Sequence, residues 1–293
     1  MSVGHIHGRI KTIFSIHMSM SASSFSFSLS RPGRCFQFTH AITRTPSISI
    51  TNGLRAEDRG APSPDLFREE HAAYVSALSE TGATVICLPP LEDFPDSVFV
   101  EDPALILCGR AIVLQPGAET RRGEAAAIRD DLLRYTDGVI DLNTDGFVEG
   151  GDILCTDHEV LIGLSARTNE AGVEDLRSVV ESLGYRLRVV NTPPEILHFK
   201  TESSLLDADT ILATPLLARS GCFDGYRVIE TPDGEEAAAN SIRFNDTVFV
   251  SKGFDRTAEK LDAAGYKVKV LSTSQAALVD GGLSCLSLRY SLD

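Results

Sequence analysis

Near the end of the chain, "VDGGLSCLSL" (residues 279–288) places a cysteine behind a carboxylate and two glycines. Cys87 in "TVICLPP", Cys108 in "ALILCG" and Cys155 in "DILCT" sit in apolar, strand-like runs, whereas Cys285 follows a flexible Gly-Gly turn. A thiol there is either a small buried side chain or a nucleophile, and free cysteine is among the most buried residue types, so other residues must decide. Asp96, Glu101 and Asp102 lie in "PDSVFVED", Glu149 and Asp152 in "EGGD", His198 in "LHFK", and Asp280 just before the glycines. Each has a plain reading alone: a solvated loop carboxylate, a tight turn, a satisfied polar group. Gathered in one place, a thiol, an imidazole and a cluster of carboxylates are the residue types of nucleophilic and acid–base chemistry.

Gathering them requires a fold. "SVFVEDPALILCGRAIVLQP" reads as two β-rich runs, and "RRGEAAAIRDDLLRYT" follows with Ile128, Leu132 and Leu133 at helical spacing. The same strand, strand, helix order returns in "GFVEGGDILCTDHEVLIGLS" before "NEAGVEDLRSVVESLG", and again in "AANSIRFNDTVFVSKG" before "RTAEKLDAAG". "ILHFKTESSLLDADTILATP" supplies another strand pair. "GGLSCLSLRY" begins a fifth unit, for which the early "FQFTHAITR" is a candidate partner strand joining the chain ends. With Asp102, Gly151, Lys200, Arg243 and Cys285 as landmarks the spacings are 49, 49, 43 and 42 residues, a period of repeat architectures. Five units with paired ends suggest a closed ring whose matching positions face a common axis; an open doubly wound sheet is the alternative.

Composition bounds the function. The 293 residues are 43% hydrophobic and 23% charged, as in ordinary globular proteins, and no window approaches the run of about 20 apolar residues that spans a bilayer. A net charge of −14 disfavours nucleic acid and anionic lipid as partners and suits a small cation. The charge is uneven. No acidic residue precedes Glu57, and the remainder carries 21 basic against 41 acidic groups. Residues 1–34, with "SMSASSFSFSLSRPGR", have the composition of a transit peptide or of an upstream start read in error, and are expected to lie outside a single catalytic domain over 35–293. Six cysteines without CxxC or zinc-finger spacing favour reduced thiols and a cytoplasmic location.

"PDSVFVED", "RRGEA", "EGGDIL", "GLSARTNEAG", "LHFKTESSLL", "AAN" and "VDGGLSC" occur in an order and at a spacing that resemble the dimethylarginine dimethylaminohydrolases, guanidino-group-modifying enzymes, over roughly residues 36–293. The resemblance implies a five-bladed α/β propeller of ββαβ-type repeats, in agreement with the ring. It implies Cys285 as nucleophile, His198 as general acid and base, and Glu149 as the carboxylate that orients the imidazole. It implies Asp96 and Asp102 as acceptors for the guanidinium, with Glu101 close by and Phe99 beside the carbon. Arg121 and Arg167 would hold the substrate's carboxylate, Asp280 and the Val279 backbone its amine, and Leu54 in "TNGLRAEDRG" would sit on a lid. The implied reaction converts N-omega-methylated arginine to citrulline and a methylamine through a Cys thiouronium.

"SART" beside Arg167, and Thr201–Glu202 after "HFK", depart at the pocket rim but leave the catalytic set intact. No cofactor is expected; zinc is expected only as an inhibitor at Cys285 and His198. A homodimer is compatible with the chain. An arginine or agmatine deiminase releasing ammonia stands beside this reading. The helical insertion of the first has no room between the motifs, and the second would not need two arginines for an α-carboxylate. A non-catalytic amino-acid-binding protein with a structural Cys285 is the alternative from another class, and an intact Glu149, His198 and Cys285 argue against it.

Overall fold

A hairpin of strands three to five residues long is marginal by itself, so each such pair has to gain a further strand and a cover. The computed structural model describes residues 35–292, together with Met1, and shows how this is done five times. Apart from Met1, the expected extension over residues 1–34 lies outside the described residues. The chain first lays down β1 (His40–Arg44), α1 (Pro64–Ser79) and β2 (Thr84–Leu88). Then come β3 (Ala104–Leu107), β4 (Arg110–Val113), α2 (Arg122–Tyr135) and β5 (Val139–Asp141). The next unit is β6 (Ile153–Cys155), β7 (Val160–Leu164), α3 (Glu170–Ser182) and β8 (Leu187–Asn191). It is followed by β9 (Ser203–Leu205), β10 (Thr210–Ala213), α4 (Pro215–Ala218) and β11 (Arg227–Glu230). The last full unit is β12 (Ile242–Phe244), β13 (Thr247–Ser251), α5 (Asp255–Ala263) and β14 (Lys267–Leu271), and β15 (Leu288–Tyr290) ends the chain.

In every unit the first two strands pair antiparallel and the third returns parallel to the second, as a helical crossover requires. The fifth sheet has the order β15-β1-β2, built from both ends of the chain, with Ile42 opposite Leu288 and His40 opposite Tyr290. This is the five-bladed α/β propeller, and "FQFTHAITR" holds the strand that closes it.

The apolar core is not central. It is divided into five seams, each joining neighbouring blades. Leu107, Ile112 and Leu114 of the β3–β5 blade pack with Ile153, Ile162 and Leu176 of the next. Leu161 and Val190 pack with Leu205, Ile211 and Leu217, and Leu206 and Leu212 with Val248, Val250 and Leu261. Phe244 and Phe249 meet Ala41, Phe67 and Tyr74, and Ile42 and Leu288 meet Ile106, Ile128 and Leu132. With the apolar side chains in the seams, the axis is left to polar groups.

Local signals fit this plan. Ser63 caps α1 by accepting from the Leu66 amide, Pro64 takes the first helical position, and Phe67, His71, Tyr74 and Leu78 form the buried stripe. In α2 Ile128 and Leu132 are buried as expected but Leu133 is 55% exposed, because one residue further turns the side chain about 100° away. Cys87, expected in the core, is exposed on β2. Among the described residues no helix is long and apolar enough to cross a membrane.

Asn169 links this local chemistry to the axis. Its side-chain oxygen accepts from the Gly172 amide at 3.0 Å, capping α3, and from the Phe147 amide at 3.1 Å, two residues before Glu149. Asn169→Ala should lower unfolding free energy by about 1–2 kcal/mol in urea denaturation; an unchanged midpoint would show that the cap contributes nothing.

Candidate active site

Before the first strand of each blade the chain makes a short 3-10 turn, over Pro95–Val98, Gly150–Asp152, Phe199–Thr201, Glu236–Ala239 and Ser284–Leu286. Residues within or shortly before or after these turns reach the axis. Asp102 comes two residues before β3, Glu149 four before β6, His198 five before β9, Asn240 two before β12 and Cys285 three before β15. The landmark in the fourth unit is thereby corrected. Arg243 lies inside β12, donates to the carbonyls of Asn245 and Leu206 and stacks on Phe36 and Tyr266, so Asn240 holds the matching place.

His198 Nε2 lies 2.7 Å from Glu149 Oε2. The other oxygen of Glu149 accepts from the Gly117 and Ala118 amides at 3.0 and 3.3 Å and from Arg167 Nη1 at 3.4 Å. Burial alone would lower the His198 pKa, but the hydrogen bond to Glu149 and the charges of Asp102 and Asp152 overcome it and raise the imidazole to about 9. Burial likewise acts to raise the Glu149 carboxyl, and the bonded imidazole with Arg121 and Arg167 holds it well below the usual range. The two shifts describe one pair: an imidazolium kept charged by a carboxylate kept charged. Asp152 does not face substrate space; it accepts from Ser165, Thr168 and the Phe199 amide and so braces the turn that carries His198.

Glycine is needed where these side chains meet backbone. A Cβ on Gly151 would stand 2.8 Å from the His198 ring and 3.0 Å from Asp102 Oδ1, and one on Gly281 would stand 2.2 Å from the Phe99 ring. "EGGD" and "VDGG" are therefore the surfaces on which His198 and Phe99 lie. Cys285 is fixed from three sides. Tyr74 Oη donates to the Leu283 carbonyl, Arg289 Nη1 to that of Ser284, and the Cys285 carbonyl accepts from the Glu101 amide. Burial, then the charges of Asp102 and Glu101, push the Cys285 thiol up to about 11, so it rests protonated.

A cavity of about 170 Å³ is lined by Cys285, His198, Glu149, Asp102 and Phe99, and its rim brings in Leu54, Arg121, Arg167, Val279 and Asp280. Asp102 Oδ1 is buried and has no hydrogen-bond partner among the described residues, which leaves one acceptor open to whatever enters. Asp102, Glu149 and His198 also place one ligand atom each within 4.8 Å of one another.

Three expected residues are used differently. Arg121 has its donors committed to Glu124, Asp102 and the carbonyls of Asp96 and Phe99, so it holds the carboxylate wall in place instead of reaching outward. Glu101 faces away from Asp102 into a second cavity, paired with Lys200 at 2.7 Å and Arg289 at 2.5 Å. Asp96 lies behind the cavity wall and accepts from the Leu54 amide at 2.9 Å. Asp280, at the positive backbone angle φ 55°, does reach the rim, where Ala56 N donates to it at 2.5 Å and Arg59 Nη2 at 3.3 Å. Sequence reasoning missed Asn240, Lys200, Ala56 and Arg59. "AAN" alone carried a signal, as a motif without a role.

A model of the family described as N,N dimethylarginine dimethylhydrolase, eukaryotic, matches residues 61–198. The N(G),N(G)-dimethylarginine dimethylaminohydrolase of Pseudomonas aeruginosa is 39% identical over 254 residues, covering 86% of this chain and all of that protein. The chain belongs to the dimethylarginine dimethylaminohydrolase family. The structure of a cysteine-to-serine variant of the Pseudomonas aeruginosa enzyme complexed with citrulline superposes with a TM-score of 0.84 over 87% of this chain and all of that one. A histidine-to-glycine variant of a dimethylarginine dimethylaminohydrolase, solved as an adduct with S-methyl-L-thiocitrulline, is 38% identical and gives 0.83 over 86% of this chain and all of that one.

The pairing of Glu149 with His198 can be tested apart from turnover. In Glu149→Gln the neutral amide no longer favours the imidazolium, so the His198 ring, followed by proton NMR, should titrate below its wild-type value of about 9. An unshifted titration would assign the raised basicity to Asp102 and Asp152 instead.

Proposed function

We propose that the chain hydrolyses N-omega-methylated arginine to citrulline with release of di- or monomethylamine, with Cys285 as nucleophile. The observation that carries the reading is the meeting of a partly buried thiol, a charged Glu149–His198 pair and an open Asp102 oxygen on one cavity of a family member. The substrate's guanidinium donates to Asp102 Oδ1, lies against Phe99 and brings a positive charge to the sulfur. The Cys285 proton then passes to solvent water, since His198 is already protonated. The thiolate pair forms a C–S bond, and the tetrahedral adduct collapses as the C–N bond breaks. The departing nitrogen keeps that pair and takes a proton from His198. Water, losing a proton to His198, adds to the thiouronium carbon, and the C–S bond breaks with its pair returning to sulfur. Every bond is accounted for by this chain and water, so the reading includes no cofactor; zinc would act on Cys285 and His198 only as an inhibitor.

At the amino-acid end Arg167 takes the carboxylate and Asp280 the ammonium. The cation that Asp280 already holds is Arg59, whose guanidinium the substrate's ammonium would replace. The thiols of Cys87, Cys155, Cys222 and Cys285 suit a reducing compartment, which we take to be the cytoplasm.

Incubation with dimethylarginine, monomethylarginine, arginine and agmatine, followed by identification of the amine released, tests the reaction. Methylamines and citrulline are expected, with turnover lost in Cys285→Ser; ammonia from arginine or agmatine as the main product would establish a deiminase. Because thiol and imidazolium both rest protonated, the reactive thiolate–imidazolium form gains about tenfold per pH unit below the His198 value of about 9 and stops gaining above it. The kcat/KM profile should therefore climb through neutrality and level off near pH 9. A flat profile from pH 6 to 8 would mean a thiolate already formed in the free enzyme.

A further inference from the structure

Four of the five blades bring a group with an evident task to the axis: Asp102, Glu149, His198 and Cys285. The fifth brings Asn240, a residue to which the chemistry above gives nothing to do. We propose that Asn240 is a catalytic residue of this site, its side-chain amide donating to Cys285 Sγ whenever negative charge stands on the sulfur. The inference rests on Cys285 being the nucleophile.

The geometry is that of a built donor. Asn240 Nδ2 lies 3.8 Å from Cys285 Sγ, within reach of an N–H···S bond. Its Oδ1 accepts from the Ser284 amide at 3.0 Å, and since a backbone N–H can bond only the oxygen, this contact fixes which end of the amide faces the thiol. The side chain is 7% exposed. It is held against Gly282, where a Cβ would come within 2.4 Å of the Asn240 side chain, so the second glycine of "VDGG" is what admits the amide beside the sulfur. Asn240 therefore touches both the nucleophile and the backbone that carries it.

The electrostatics give the contact its purpose. Burial and the charges of Asp102 and Glu101 oppose a thiolate, whereas the Gly282 backbone and the Asn240 amide favour one. The substrate's charge can help only while the guanidinium stands before the sulfur. The sulfur carries charge a second time, when water has added and the C–S bond breaks; the carbon is then becoming a neutral urea, so the cation's help is gone. A donor belonging to the protein serves both moments. Asn is suited to this as Asp or Ser is not: it gives an N–H to the sulfur while its oxygen is held by the adjacent amide, and it adds no charge.

Asn240→Asp and Asn240→Ala test this against wild type and Cys285→Ser. Asn240→Ala removes the N–H without adding charge and so isolates the donor; Asn240→Asp keeps an oxygen for the Ser284 amide but adds a negative charge beside the sulfur, and is the second variant if Asn240→Ala does not fold. Two readouts are taken: the pH dependence of Cys285 alkylation by iodoacetamide, and kcat and KM for dimethylarginine. The thiol should titrate about one unit higher or more in Asn240→Ala. Its kcat should fall about tenfold to a hundredfold, with KM changed less than about threefold. A folded Asn240→Ala, or failing that Asn240→Asp, with alkylation profile and kcat within about twofold of wild type would overturn the assignment. Turnover by Cys285→Ser at the wild-type rate would instead overturn the nucleophile on which it rests, whatever the Asn240 variants do.

Discussion

Pairing of Leu288–Tyr290 with His40–Ile42 joins the two ends of the chain, and the other features of the site depend on it. Those few backbone hydrogen bonds complete the fifth sheet and bring the last seam, between Leu288 and Ile106, into contact. Cys285 stands only three residues before that strand, so the register of β15 on β1 sets where the thiol points. A slip by one residue would turn alternate side chains to the opposite face and move the sulfur off the axis.

An axis lined with charge is costly to bury, and the chain meets that cost by pairing. Arg121 pairs with Asp102 and Glu124, Lys200 and Arg289 with Glu101, and Arg167 with Glu149. Removing one member of such a set is far worse than never having built it. Asp102 Oδ1 is left as the acceptor that a cation can satisfy.

Sequence periodicity showed the repeat because each blade states it locally: strands of alternating or continuous apolar residues, then a helix with its stripe. It also brought the thiol, the imidazole and most of the carboxylates to one axis, since their distance from the following strand is similar in each unit. Arg243 misled because β12 starts only 39 residues after β9, at Ile242 against Ser203, so a step of 43 from Lys200 overshoots into the strand, and periodicity does not resolve two or three positions. For Glu101 and Arg121 the sequence left orientation open. Which way neighbouring side chains face, and whether a guanidinium is already saturated by buried carbonyls, are tertiary facts with no signature in spacing. Asn240 escaped notice because an amide beside a thiol looks, in sequence, like any asparagine in a turn.

The division of the core into five seams has a consequence for how such a molecule can change. Since the seams lie between blades and the axis receives its side chains from the turns, the residues that do chemistry are largely separate from those that pack the core, although the axial groups are coupled to one another. A propeller of this kind can lose all sequence kinship among its blades and still diversify its reactions. What such a fold must preserve is the apolar packing of the seams between blades, while the axial residues can change together.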